Sequence, residues 1–208
     1  MTVEACEDLL RAALARLTAQ INAGDFGDFN EATIQHHFAM ALHLIALDRR
    51  EPFRIVLEKR VTRANGAVFP KKQSQNADID VFFTYGEDQT RCAIELKVYK
   101  RINQREPNNR YDAYADLANL EIYQGEHCDV GFLLLFTNHP HYFDNDFRPL
   151  SPATSDFSLR EGHQYVGGRE LRYQTQTPYG PNLTLESNYT FLWENNENPW
   201  RRLLVQVQ

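Results

Sequence analysis

Cysteine is scarce in this chain and poorly placed for pairing. The three residues, Cys6, Cys92 and Cys128, are odd in number, far apart and in no CxxC pair. That argues against a disulfide framework and against a cysteine-built zinc site. No run approaches the roughly 18 to 20 apolar residues of a membrane span. The opening "MTVEACEDLL" carries acids where a signal peptide needs a basic and then an apolar region. The expectation is a cytoplasmic protein with no membrane partner. A glycine-rich phosphate loop, a GxSxG elbow, a Cys/His dyad, internal repeats and low-complexity tracts are all missing as well.

What is present is ordinary in amount and uneven in placement. Hydrophobic residues make up 42% and charged residues 24% of 208, enough for one domain with a real core. The net charge is −6, yet between Arg49 and Arg110 there are 14 Lys/Arg against 8 Asp/Glu, leaving 8 against 20 on the flanks. A basic middle marks either a phosphate-binding face or scattered solvated charge, and composition does not choose between them.

Periodicity orders the chain. Val3, Leu9, Leu10, Ala13, Leu14, Leu17 and Ile21 recur with a helical period. After the break "NAGDFGDFN", a second helix runs from about Asn30 to Asp48 on the stripe Ile34, Phe38, Ala41, Leu42 and Ile45. "PFRIVLEKRV" alternates as a first strand, and "TRANGAVFPKKQSQ" reads as a loop. "ADIDVFFTY" and "RCAIELKVY" form strands two and three across "GEDQ". A helix over "NNRYDAYADLANLEIYQG" follows, capped by Asn108 or Asn109 and stopped at Gly125. "DVGFLLLFTN" is apolar throughout, as a strand covered on both faces should be. Residues 1–138 therefore read as an α/β core. Residues 139–208 read as a β-rich extension packed on it, with strands in 169–177, 182–194 and 201–208 after a loop at 139–156.

Strands two and three carry charge where sheet residues should be apolar. Side chains alternate faces along a strand, so Asp78 and Asp80 share one face, and Glu95 and Lys97 share one face. If the strands are neighbours, two or three carboxylates and an ammonium meet on one patch. Clustered carboxylates repel unless something positive sits among them, and Mg²⁺ or Mn²⁺, with one or two protein carboxylates plus water and phosphate oxygens, is the natural answer. Beside such an ion a lysine orients water and offsets charge on a phosphodiester. The competing view is a solvated sheet face with a cross-strand Lys–Asp pair. The Arg49–Lys72 stretch, with Lys71 and Lys72, and also Lys100, Arg101 and Arg105, supplies candidates for backbone contacts to nucleic acid.

The spacing D-x14-E-x-K, Asp80 to Lys97, resembles the signature of the PD-(D/E)xK nucleases, the restriction-endonuclease-like fold. Residues 28–137 resemble that core in order: helix, three strands, helix, strand. The resemblance implies a metal-dependent nuclease acting on nucleic acid, with DNA the leading substrate. Asp80 and Glu95 would hold the metal, the Leu96 carbonyl would join them, and Lys97 would serve the nucleophilic water. It also implies a helix acid, here Glu31, and a phosphate contact on the later helix, here Arg110. Glu31 is equally well explained as an acid favoured by a helix N-terminus, and Asp78 is either a second ligand or a bystander. No Pro precedes the Asp, which departs from the pattern. The rival expectation is a non-catalytic subunit of a repair or defence system, and a homodimer or partner subunit fits either.

Overall fold

The computed structural model describes residues 3–194 and 199–207; the end of the last expected strand, Gln208, lies outside them. Helices α1 (Val3–Ala23) and α2 (Glu31–Asp48) form where the apolar stripes predict. Asn30 holds an extended φ of −123° and its side chain accepts from the Thr33 N–H at 2.9 Å, which fixes where α2 starts. Strands β1 (Phe53–Thr62), β2 (Asn76–Tyr85) and β3 (Thr90–Tyr99) follow as a meander, then α3 (Glu106–Glu126) and β4 (Val130–Thr137). The α3 crossover makes β3 and β4 parallel, whereas the other pairings of this sheet are antiparallel.

α3 begins earlier than expected. Arg105 occupies its N-cap and Pro107 lies in its first turn, where a fixed φ and a missing N–H do no harm. At the other end Gly125 takes φ +84°, the left-handed conformation that suits glycine at a helix stop.

The C-terminal third departs most from expectation. Its 139–156 segment holds a short helix, α4 (Pro140–Phe143), and most of a 3-10 turn (Pro152–Phe157). The strands read at 169–177 and 182–194 shrink to two-residue pieces: β6 (Glu170–Leu171) pairs with β7 (Leu183–Thr184), and β8 (Tyr189–Thr190) pairs with β5 (Gln164–Tyr165), a strand outside the ranges read from the sequence. The last strand, β10 (Arg201–Val207), enters the main sheet between β4 and β9 (Trp193–Glu194), giving the order β1-β2-β3-β4-β10-β9. It is apolar toward both layers, which is why it sits inside the sheet and not on top of it. Leu203, Val205 and Val207 join the α3 side, and Leu204 packs on the α1/α2 side.

The result is three layers. α1 and α2 cover one face through Leu10, Leu17 and Phe38 against Ile94, Phe132 and Leu134. α3 and the C-terminal segment cover the other through Tyr114, Leu117 and Leu120 against Leu133, Leu135 and Phe157. Tyr189, Phe191 and Trp193 are packing residues in this second core. Phe69, in the stretch read as a loop, also inserts there and is buried against Tyr123. Among the described residues no helix is long and apolar enough to cross a membrane.

Because β10 shares both cores, Leu203→Ala and Leu134→Ala are each expected to cost about 2–5 kcal/mol in a single cooperative transition. Denaturant melts followed by two probes check this. A biphasic melt in which Leu203→Ala moves only one phase would detach the C-terminal segment from the fold.

Candidate active site

Strands β2 and β3 pair from Tyr85↔Thr90 to Val81↔Ile94 and no further. Beyond that point the next β3 amide, Leu96 N–H, donates not to β2 backbone but to the Asp80 carboxylate, at 2.7 Å. The other edge of β2 is interrupted at the same place. β1 and β2 pair on both sides of Glu58 and Asp80, but these two residues are skipped, and Glu58 takes φ +51° in mid-strand. A left-handed non-glycine residue inside a strand is strained, and such strain gathers at functional sites. The Asp80 carbonyl is satisfied instead by Gln35 of α2, whose Nε2 donates to it at 2.6 Å and to Glu58 Oε1 at 2.7 Å. Simple alternation along β2 also fails here, since Ile79 packs toward α3 while Val81 and Phe83 pack toward α2.

Into this splay the β3 charges project. The Lys97 ammonium donates to Asp80 Oδ2 at 3.0 Å and to the Leu96 carbonyl at 2.6 Å. It stands 3.6 Å from Glu31 Oε1 and 3.8 Å from Asp116 Oδ2. Burial pushes this ammonium down, but the carboxylates of Asp116, Asp80, Glu95 and Glu31 outweigh burial and hold it well above the ordinary lysine value. Glu95 is 2% exposed, and burial, reinforced by Asp116 and Asp80, raises its carboxyl well above the usual range despite Lys71 and Lys97. Glu31 is raised too, by desolvation against the opposing pull of Lys97, although nearly half its side chain reaches solvent.

Two members, Asp116 and Gln35, were not read from the sequence as site residues, and a third, Lys71, was read only as a nucleic-acid contact. Asp116 is fully buried on α3; its Oδ1 accepts from Lys71, and its Oδ2 has no hydrogen-bond partner. Its signal was present: an acid beside Ala113, Leu117 and Leu120, on the buried stripe of a helix. Lys71, expected on a nucleic-acid face, reaches into the site because the chain turns inward at Phe69. Gln35, the other unforeseen member, carries no such mark, since its role depends on the skipped pair. A cavity of about 100 Å³ opens on the cluster, lined by Lys71, Lys72, Asp80, Glu95, Asn119 and Tyr123 among others.

Other expected residues fall elsewhere. Asp78 borders the cavity, but its carboxylate is held by Arg60, its cross-strand partner, at 2.8 and 3.2 Å, so it is the bystander of the two acids. Arg110 does not lie on the exposed face of α3: it is 1% exposed and donates to the Thr154 and Phe157 carbonyls and to Thr154 Oγ1. It sits there because its position on α3 faces the Pro152–Phe157 turn. Lys100 is paired with Asp28 beside Phe29. Lys72 and Arg101 are exposed.

Four carboxylates (Glu31, Asp80, Glu95, Asp116) thus face two ammonium groups (Lys71, Lys97). Carboxyl groups outnumber ammonium groups even with Glu95 holding its proton, and these hard oxygen donors suit one divalent cation of the Mg²⁺ type. Among the described residues no group of three or more His, Cys, Asp or Glu is arranged around a single metal position. Asp80, Glu95 and the Leu96 carbonyl are the oxygens available, and Lys97 now occupies two of them. Compared with protein-family models, with curated proteins and with solved structures, the chain matches none.

In chelator, Glu95→Gln is expected to stabilise the protein at pH 7 by on the order of 1 kcal/mol. A carboxyl raised in the folded state holds its proton there while the unfolded chain loses it. Wild-type stability therefore falls as pH climbs from the ordinary value of 4.5, and the benefit of Gln grows over the same window. Lys97→Met should act oppositely, costing about 3–5 kcal/mol by stranding buried carboxylates. Chemical denaturation of both variants between pH 4.5 and 8 gives the answer, and a pH-independent Glu95→Gln effect would refute the buried-acid account.

Proposed function

We propose that this chain is a Mg²⁺-dependent nuclease (Mn²⁺ serving in its place) of restriction-endonuclease-like fold, hydrolysing phosphodiester bonds in nucleic acid, with DNA the leading substrate. The observation that carries this reading is the convergence of Asp80, Glu95 and Lys97 on one buried patch where β2 parts from β3. The helix, three-strand, helix, strand order around that patch supports it.

In this reading Asp80 and Glu95, with the Leu96 carbonyl, hold the cation. When bound, the ion supplies a water of lowered pKa and neutralises charge on the scissile phosphate. The protein's own contribution is mostly electrostatic. Lys97 is an ammonium at neutral pH, so it donates hydrogen bonds to water or phosphate oxygen and does not accept a proton. Asp116 positions both lysines, bonding Lys71 and facing Lys97. Glu31, at the open side, is the acid placed to take a proton from water. Gln35 holds the Asp80 backbone and so aims its carboxylate. Lys72, at the cavity mouth, and Arg101 remain exposed for phosphate contacts, which give affinity without sequence reading.

The second reading, a non-catalytic nucleic-acid-binding or protein-interaction subunit, draws on the contacts of Lys97 itself. Its ammonium already satisfies Asp80 Oδ2 and the Leu96 carbonyl, so a cation has to displace it. A homodimer or partner subunit is compatible with both readings.

Purified protein with Mg²⁺ or Mn²⁺ is expected to cut single- or double-stranded DNA, or RNA, and chelator should stop it. Asp80→Asn and Lys97→Met should each lower the rate at least 100-fold, and Asp116→Asn by about tenfold. Absence of cleavage together with absence of Mg²⁺ binding by calorimetry would reject the enzyme in favour of the second reading.

A further inference from the structure

At the far end of α3, about 15 Å along the helix from Asp116 at 1.5 Å per residue, the charge balance is reversed. Arg110 and His141 line a cavity of about 120 Å³ together with Arg148, Thr154 and the first turn of α3. A second cavity of about 480 Å³ adjoins it through the shared Glu106 and Arg148 and is rimmed by Arg101. The floor is built from buried groups whose hydrogen-bonding capacity is not fully used among the described residues. Arg110 is 1% and His141 9% exposed, and Arg110 Nε and His141 Nε2 have no partner. Arg160 Nε is buried and, among the described residues, unpartnered too.

No carboxylate among the described residues lies within ion-pair reach of Arg110, Arg148 or Arg160. Arg110 is instead held by carbonyls and one hydroxyl, and its guanidinium is depressed to about 10 by burial. The one acid lining either cavity, Glu106, is engaged by His139 Nε2 at 2.8 Å. The α3 N-terminus adds its partial positive charge, since Arg105 at the N-cap makes no side-chain cap. A buried guanidinium without a counter-charge is costly, and it sits here against a cavity with room for only a few heavy atoms.

We propose that this cavity is a binding site for a phosphate group, separate from the acidic cluster. Arg148 closes over it from the solvent side, Arg110 and His141 donate from the floor, and Thr154, whose Oγ1 accepts from Arg110, completes the lining. Arg148 suits a mouth residue: its side chain leans on the Phe147 ring, 5.2 Å from the centroid, and among the described residues it has no acid to hold it elsewhere. The phosphate comes either from a nucleic-acid strand lying along α3 or from a free phosphorylated small molecule.

The test uses the full chain and inorganic phosphate, read by calorimetry and by thermal shift at constant ionic strength with chloride as the control anion. One phosphate per chain is expected, with a melting temperature that climbs with its concentration. Arg148→Ala and His141→Leu should each weaken binding tenfold or more, and the surface change Arg148→Ala should leave the phosphate-free melting temperature unchanged. No binding at millimolar phosphate, or binding indifferent to both variants, overturns the proposal. Asp80→Asn, which is expected to lack cleavage, should bind phosphate as the wild type does. A phosphate site in a protein that cuts nothing would therefore sink only the nuclease reading. An oligonucleotide that displaces phosphate from the Asp80→Asn protein assigns the site to a strand, whereas phosphate retained beside bound oligonucleotide assigns it to a small molecule.

Discussion

The Asp80 carboxylate takes the Leu96 N–H that strand pairing leaves unmatched, and the site depends on that single substitution of side chain for backbone. Had β2 and β3 zipped together past Val81 and Ile94, the gap holding Lys97 and Glu95 would be closed by sheet. A buried amide without an acceptor is costly, so parting the strands requires a replacement partner, and a carboxylate is a strong one. The same logic operates one strand over. The left-handed Glu58 removes a pairing opposite Asp80, and Gln35 restores the lost hydrogen bond from a helix. Two local breaks in a regular sheet, both mended by side chains, turn ordinary strand positions into a cleft.

Charge inside that cleft is balanced closely but not fully. Lys97 on β3 and Lys71 are held by carboxylates on β2, α2 and α3, so elements distant in sequence are tied through two ammonium groups. Burial that would discharge a lone lysine is overcome here because four acids surround Lys97. The excess falls on Glu95, whose carboxyl is pushed up, and on Asp116 Oδ2, left without a hydrogen bond. Such arrangements are poor for stability, since buried ionic groups rarely recover their desolvation. Their presence in the middle of an otherwise apolar core fits a function-bearing cluster better than a structural one.

The opposite end of α3 shows the converse imbalance, with the Arg110 guanidinium buried among carbonyls and, among the described residues, no acid paired with it. One helix therefore joins an acid-rich cleft near its middle to a base-rich cavity at its N-terminus. Asp116 and Arg110 lie six residues apart on it, and both are buried. The packing of α3 on the sheet fixes the relation between the two, because Tyr114, Leu117 and Leu120 lie in the same core.

Helix positions, the three-strand meander and the wholly apolar β4 were legible because amphipathic periods and turn residues are local properties of the chain. So were Asp80, Glu95 and Lys97, since charge interrupting an apolar strand stands out in one dimension. Asp116 was half legible, as an acid on a buried helical stripe. Lys71 and Arg110 both lie deeper than expected: the lysine, in a loop, turns inward, and the arginine, on a helix, faces the core. Nothing near either residue states which way the chain will turn, because that depends on Phe69 packing against Tyr123 and on the Pro152–Phe157 turn packing against α3. The entry of β10 into the sheet was hidden for the same reason. A strand's neighbour is chosen by whichever edge remains open, and β4 offers its edge to a segment more than sixty residues away. Sequence by itself determined which segments are helix or strand and which residues carry chemistry. Only the tertiary structure decided which of those residues meet, because burial and charge pairing are settled between elements that sequence separates.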